Sequence, residues 1–187
     1  MFAGIVADVG TLRAAEGGAG GRRFESAAPK LPLADAAIGA SICCSGVCLT
    51  AVTYGEGWFA AEVSPETLRR TTMGDWTVGR RINLERSLKV GDEIGGHFVF
   101  GHVDGVGRLM GRVADGDSER FVFEAPEAMI PFLAEKGSVA IDGISLTIAA
   151  LSGARFEVAV IPHTAAETTL GGAAAGDPVN LEADILA

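Results

Sequence analysis

His102, Ser145, Asp142, Lys136 and His163 could all do chemistry, and each stands 97 positions after a residue of another kind: Ile5, Cys48, Ser45, Gly39 and Glu66. An imidazole titrates near neutral pH and suits proton transfer. The hydroxyl, carboxylate and amine could orient or polarise a ligand, whereas the earlier set offers a thiol, hydroxyls and an apolar wall. Such asymmetry suits a site that must treat two similar ligands differently. Each residue also has a plainer reading. Ser145, Thr147 and Thr50 fit hydroxyls that bond their neighbours, Lys136 fits a solvated turn, Cys48 a buried thiol, and His102 a packed histidine in a strand. No Ser-His-Asp order is recognisable from sequence, because such a triad is defined by geometry.

The spacing of 97 belongs to the whole chain. Gly4-Ile5-Val6 returns as Gly101-His102-Val103, and Val9-Gly10-Thr11-Leu12 as Val106-Gly107-Arg108-Leu109. Gly46 with Leu49-Thr50 returns as Gly143 with Leu146-Thr147, and Asn83-Leu84-Glu85 as Asn180-Leu181-Glu182. The register holds without a net insertion. The chain is a duplicated domain, 1–97 and 98–187, each half large enough for a modest core.

Both halves read as short strands punctuated by glycine, an all-β pattern. Ile5 to Leu12 opens the first half, and residues 57–63 alternate as a half-buried strand does. Residues 119–124 and 155–160 alternate polar and apolar side chains, while 82–85 and 179–182 close the two copies. Several strands per half without long helices favour antiparallel barrels over a βαβ fold. Helices are expected to be few and short. Residues 64–71 have Ser64 as N-cap and Pro65 at the first position, 161–169 keep the proline without the cap, and 126–137 form a helix interrupted at Pro131. Gly17 to Gly21 read as a hairpin tip, and Leu88 to Gly96 as the linker.

The net charge of −9 over 187 residues argues against a nucleic-acid partner. No apolar run is long enough to span a bilayer, and no basic leader opens the chain, so a cytoplasmic protein is expected. Cys43, Cys44 and Cys48 read as free thiols, and no second cluster completes a metal site. The dinucleotide and P-loop fingerprints are absent. Composition and spacing alone stop at a two-barrel, ligand-binding protein.

The motifs Met1-Phe2-Ala3-Gly4-Ile5-Val6, GVCLT (46–50), ETL (66–68), GGHFVFGHVDG (95–105), DGISLT (142–147) and VNLEAD (179–184) carry a resemblance over essentially the full length. The chain resembles the riboflavin synthases, which are built from two lumazine-binding repeats. The resemblance implies two tandem six-stranded antiparallel Greek-key barrels. It implies dismutation of two 6,7-dimethyl-8-ribityllumazine molecules by four-carbon transfer, giving riboflavin and 5-amino-6-(D-ribitylamino)uracil, without a metal or redox cofactor. It also implies a homotrimer and association with lumazine synthase.

Carried over by position, the first pocket would use Gly4, Ile5 and Val6, then Cys48, Leu49 and Thr50. Glu62, Val63, Ser64, Pro65, Glu66 and Thr67 complete it. The second would use Gly101, His102 and Val103 with Lys136, then Ser145, Leu146 and Thr147. Ile161, Pro162, His163, Thr164, Ala165 and Ala166 complete that one. His102 is the candidate for proton transfer, and Ser145, Thr147, Cys48 and Ser41 would orient or stabilise adducts. The chain departs from the family pattern at Ala3, where a threonine is usual, and at Cys43-Cys44-Ser45. It stops at Ile185-Leu186-Ala187 where relatives continue into a trimer-forming helix, so either the sequence is truncated here or assembly is weakened. The rival is a non-catalytic lumazine- or flavin-binding antenna protein. Such relatives tend to lose the polar residues of the second repeat, and this chain keeps His102, Lys136, Asp142, Ser145 and Thr147.

Overall fold

The computed structural model describes residues 1–186; Ala187, the last residue of the expected terminus, lies outside the described residues. Strands β1 (Asp8–Gly18), β2 (Gly21–Ala27), β3 (Ser41–Cys44), β4 (Val47–Gly55), β5 (Trp58–Val63) and β6 (Arg81–Arg86) close a barrel in the order β1-β2-β5-β4-β3-β6. Strands β7 (Gly105–Asp115), β8 (Ser118–Glu124), β9 (Ser138–Ile141), β10 (Ile144–Ser152), β11 (Arg155–Val160) and β12 (Pro178–Ala183) close a second in the order β10-β11-β8-β7-β12-β9. Every pairing within the barrels is antiparallel, and closure leaves no exposed sheet edge. The two orders coincide once the 97-residue repeat is applied.

Local sequence explains the agreement. β2 and β8 share one burial alternation, which turns Phe24 inward in the first barrel and Phe121 and Phe123 inward in the second. Each such phenylalanine contributes about 1.5–3 kcal/mol on burial. Phe123 stacks on Phe156 with ring centroids 5.6 Å apart, and Phe24 stacks on Trp76 at 6.0 Å. Register shifts fall at Leu12/Ala14 and Leu109/Gly111, and again at Ala51/Thr53 and Ile148/Ala150. These are repeat-related positions, and the added curvature of a bulge helps a small sheet to close.

Short helices lie where proline and the cap direct them. Helix α1 (Pro65–Arg70) starts after Ser64, whose side chain accepts from the Thr67 amide. Its counterpart α2 (Pro162–Glu167) has no side-chain cap. The stretch around Pro131 is a 3-10 helix, Glu127–Phe132, because proline removes the amide that an α-helix would use.

One expectation is corrected. Residues 5–7 are not part of the opening strand, which begins at Asp8, and His102 is likewise outside β7. Both stretches are extended segments that leave their own barrel. Phe2 pairs with Val99 in an isolated antiparallel bridge, and Phe2, Val99, Cys43 and Ala140 form a small buried cluster between the barrels, with Cys48 against it. Asn83 and Asn180 fasten the same boundary reciprocally. The Asn83 amide donates to the Asp142 carbonyl and its oxygen accepts from Thr169 N, while Asn180 does the same with Ser45 and Thr72.

Candidate functional site

The extended segments decide which predicted site residues meet. Gly4 carbonyl accepts a hydrogen bond from the Ser145 amide at 2.8 Å, and Gly101 carbonyl accepts from the Cys48 amide at 2.9 Å. Val6 packs against the second barrel's core and Val103 against the first's. Thus Gly4, Ile5 and Val6 stand beside Ser145, Leu146 and Thr147, and Gly101, His102 and Val103 stand beside Cys48, Leu49 and Thr50. The assignment of each segment to its own repeat's pocket is reversed. Gly4 and Gly101 have positive φ of 74° and 75°, and a Cβ on either would lie 2.6 Å from the Cβ of Ser145 or Cys48. Only glycine permits this approach.

At the second barrel, Ser145 Oγ lies 2.7 Å from Nδ1 of His97. His97 is 8% exposed, and among the described residues its Nε2 has no hydrogen-bond partner. Burial pushes the imidazole pKa down, although the Asp184 charge pulls the other way. With the proton on Nε2, Nδ1 accepts the Ser145 hydroxyl proton and makes Oγ the stronger nucleophile or base. Sequence reasoning missed His97. Its repeat counterpart would fall one position before Met1, so comparison of the copies could not single it out; its place in the GGH motif was the available signal.

Around this pair, Thr147 is exposed and lies opposite Ser138. Lys136 is exposed in a left-handed conformation, φ 68°, with its amide donating to Ile148 carbonyl. In the first barrel Gly39 takes the same place, φ 91°, and donates to Ala51 carbonyl. A lysine held where glycine is comfortable costs of order 1–3 kcal/mol.

At the first barrel, Cys48 is partly buried and Thr50 exposed, with Ser41 directly across from Thr50 on β3. His102 is exposed, its ring tilted against Phe100 at a centroid distance of 6.2 Å. Its side chain lines a cavity of about 510 Å³ with Phe132, Glu182 and Ile185, all of the second repeat, although the neighbouring Gly101 touches Cys48. Cys43 and Cys44 are buried thiols, their pKa values raised chiefly by desolvation.

Of the remaining predicted residues, seven fall in two repeat-related clefts and the others do not. Glu62, Val63, Ser64 and Pro65 line one of about 600 Å³ together with Glu16, Arg22 and Arg23. Pro162, Ala165 and Ala166 line one of about 490 Å³ with Arg112, Asp117 and Glu119. Glu66 is occupied by ion pairs to Arg69 and Arg70 within its own helix. Thr67 Oγ1 lies 3.0 Å from Ser64 Oγ. Ile161, 53% exposed, and His163 project to solvent, and Thr164 carbonyl accepts from the Thr168 hydroxyl.

Asp142 belongs to the frame. Ser45-Gly46 and Asp142-Gly143 are two-residue hairpin turns with positive φ at both positions, the geometry favoured for such loops. Ser45 Oγ accepts from Asn83 N at 3.1 Å, and Asp142 Oδ1 accepts from Asn180 N at 2.8 Å. The exchange of serine for aspartate therefore conserves an acceptor in a turn. Among the described residues, no group of three or more His, Cys, Asp or Glu side chains is placed to hold a metal ion, and no helix is long and apolar enough to cross a membrane.

Known proteins agree with this architecture. The lumazine binding domain family matches twice, over residues 3–87 and 100–184. Riboflavin synthase of Brucella abortus is 47% identical over the full chain, covering 95% of that protein. That of Mycobacterium tuberculosis strain H37Rv is 42% identical, again over the full chain and 94% of the relative. Among solved structures, LumP complexed with riboflavin superposes with a TM-score of 0.90 at 23% identity, covering 98% of this chain and 99% of that one. LumP complexed with 6,7-dimethyl-8-(1'-D-ribityl) lumazine gives 0.87 at 22%, with the same coverage. Two lumazine-binding repeats in one unbroken register, with full-length identity of this order, place the chain in the riboflavin synthase family.

Proposed function

We propose that this chain is a transferase that converts two molecules of 6,7-dimethyl-8-ribityllumazine into riboflavin and 5-amino-6-(D-ribitylamino)uracil by four-carbon transfer. Full-length identity to riboflavin synthases carries the reading. Each repeat, 1–97 and 98–187, is read as one lumazine-binding unit, with the sites centred on Cys48 and on Ser145.

The 7-methyl group of the lumazine is acidic because its anion delocalises into the ring, so a modest base suffices. Ser145 hydrogen-bonded to the buried His97 offers a base at one site, and His102 an exposed imidazole on the segment whose Gly101 touches the other. Main-chain groups of the segments around Gly4 and Gly101 would read the ring, and Thr50, Thr147 and Lys136 would hold polar parts of the ligand. Cys48 and Ser41 would orient adducts. Holding two ring systems in register removes a bimolecular entropy cost of up to ~7–11 kcal/mol.

For the two sites to exchange a four-carbon unit, two barrels must face each other. We read the assembly as a homotrimer that pairs the N-terminal barrel of one subunit with the C-terminal barrel of its neighbour, located in the cytoplasm and able to associate with lumazine synthase. Exposed Ile5, Phe132 and Ile161, at 50%, 62% and 53%, support an apolar contact at these ends.

The deciding experiment mixes the protein with 6,7-dimethyl-8-ribityllumazine and follows both compounds. Loss of lumazine with half as much riboflavin formed is expected. Tight binding without conversion would establish the antenna reading instead, and neither binding nor conversion would overturn both.

A further inference from the structure

We infer that Glu85 and Glu182 are positioning residues acting across the barrel boundary: Glu85 of the first barrel sets the second barrel's ligand site, and Glu182 of the second sets the first's. This inference rests on the reading of ligand sites at Cys48 and Ser145.

Both glutamates occupy the same place in their closing strands, and each main chain belongs to its own barrel. Glu85 in β6 lies across from Cys43 in β3, and Glu182 in β12 across from Ala140 in β9. Their carboxylates are nearly buried, 7% and 5% exposed, and among the described residues neither makes an ion pair to a lysine or arginine. A buried carboxylate without a cation must be held by other donors. Here those donors are main-chain amides of the exchanged segments.

Glu85 Oε1 accepts from Ala3 N at 2.7 Å and Oε2 from Gly4 N at 3.0 Å. Gly4 then gives its carbonyl to the Ser145 amide, and Ala3 gives its carbonyl to the His97 amide. The path from Glu85 therefore ends on the Ser145–His97 pair of the second barrel. Glu182 accepts from Phe100 N at 2.6 Å, Gly101 N at 2.8 Å and His102 N at 3.0 Å. Gly101 gives its carbonyl to the Cys48 amide of the first barrel. The backbone of His102 is thereby fixed by one oxygen shared with Gly101. Two carboxylate oxygens gathering these amides leave the segments no rotation about the glycine that touches the opposite barrel.

Glutamine is the informative replacement. It keeps the shape but turns one acceptor into an amide donor facing a main-chain N–H, so part of the clamp opens. The test is a riboflavin titration of the full chain followed in amide NMR spectra, with Cys48 and Thr50 reporting the first site and Ser145 and Thr147 the second. Glu182→Gln is expected to weaken binding at the first-site reporters about ten-fold or more, with the second-site reporters within two-fold of the unmodified protein (~2, well inside the effect of one such bond). Glu85→Gln should do the reverse. Equal weakening at both sites, or loss confined to the barrel that carries the substitution, would overturn the inference.

If either variant fails to fold, hydrogen exchange on the unmodified chain tests the crossing on which the inference stands. Riboflavin at a level that fills only the tighter site must protect Gly101 and His102 when Cys48 and Thr50 report binding, or Ala3 and Gly4 when Ser145 and Thr147 do. The opposite pairing refutes it. Absence of riboflavin binding at every reporter would defeat the ligand-site reading itself, an outcome distinct from either.

Discussion

His97 Nδ1 and Ser145 Oγ lie 2.7 Å apart and join the linker to the second barrel. Because the two act as one unit, removing either should cost most of what the pair contributes. His97→Gln and Ser145→Ala are each expected to lower the rate of riboflavin formation by about 10²–10⁴-fold, and the double variant should be little worse than the singles. Steady-state rates of the three variants test this. Multiplicative losses would show that the residues act independently.

His102 is exposed, so replacing its ring should leave the fold intact. His102→Gln is expected to depress turnover far more than lumazine affinity. Unchanged turnover would remove the imidazole from the mechanism and leave the backbone of that segment as its contribution.

Asp142 carries a pH signature. Burial pushes its pKa from 3.8 up to about 7, against the hydrogen bond from the Asn180 amide. A carboxyl with a raised folded-state pKa binds its proton more tightly folded than unfolded, so its contribution is full below about 3.8, declines through the interval and is gone above about 7. Asp142→Asn keeps the acceptor without the charge. The melting temperature of the variant minus that of the unmodified protein should climb between pH 4 and pH 7, roughly the window in which this group titrates, and then level. A flat difference would contradict the assignment.

Gly46 and Gly143 face each other in the two hairpin turns. A Cβ at Gly143 would lie 2.8 Å from Gly46 N and 3.2 Å from Cys43 Sγ, on a backbone with φ 77°. Gly143→Ala should therefore destabilise the protein by at least about 1–3 kcal/mol, read by denaturant unfolding. Ordinary stability would mean that the barrels can separate at this point.

Lys136→Gly should act in two directions at once. Relieving the left-handed lysine stabilises the chain by about 1 kcal/mol, while loss of the amine weakens lumazine binding. Thermal melts and a binding titration on the same sample test both halves. Stability gained without loss of affinity would assign Lys136 no part in the site.

Much of this architecture was legible in the sequence. The 97-residue register gave two like units, the Phe121/Phe123 alternation gave inward faces, and Ser64-Pro65 gave the start of a helix. Other features were not legible, for definite reasons. Gly4-Ile5-Val6 and Gly101-His102-Val103 are copies of one motif, so their sequence is compatible with contact to either barrel; only the chain path shows that they cross. Asp142 looked chemical because the turn geometry that makes it structural depends on φ. His97 ends the first repeat and has no counterpart in the second, so no comparison between copies reaches it.

The crossing of these segments also changes what drifts together in this chain. Gly101 packs against Cys48 and Gly4 against Ser145 so closely that a Cβ on either glycine would stand 2.6 Å from its partner's Cβ. A side chain accepted at one of these positions must suit a residue in the other half of the gene product. A substitution in either repeat is therefore tested by packing against the other. The chemical difference between Cys48 and Ser145 therefore sits inside two contacts that each join one repeat to the other, not inside two independent barrels.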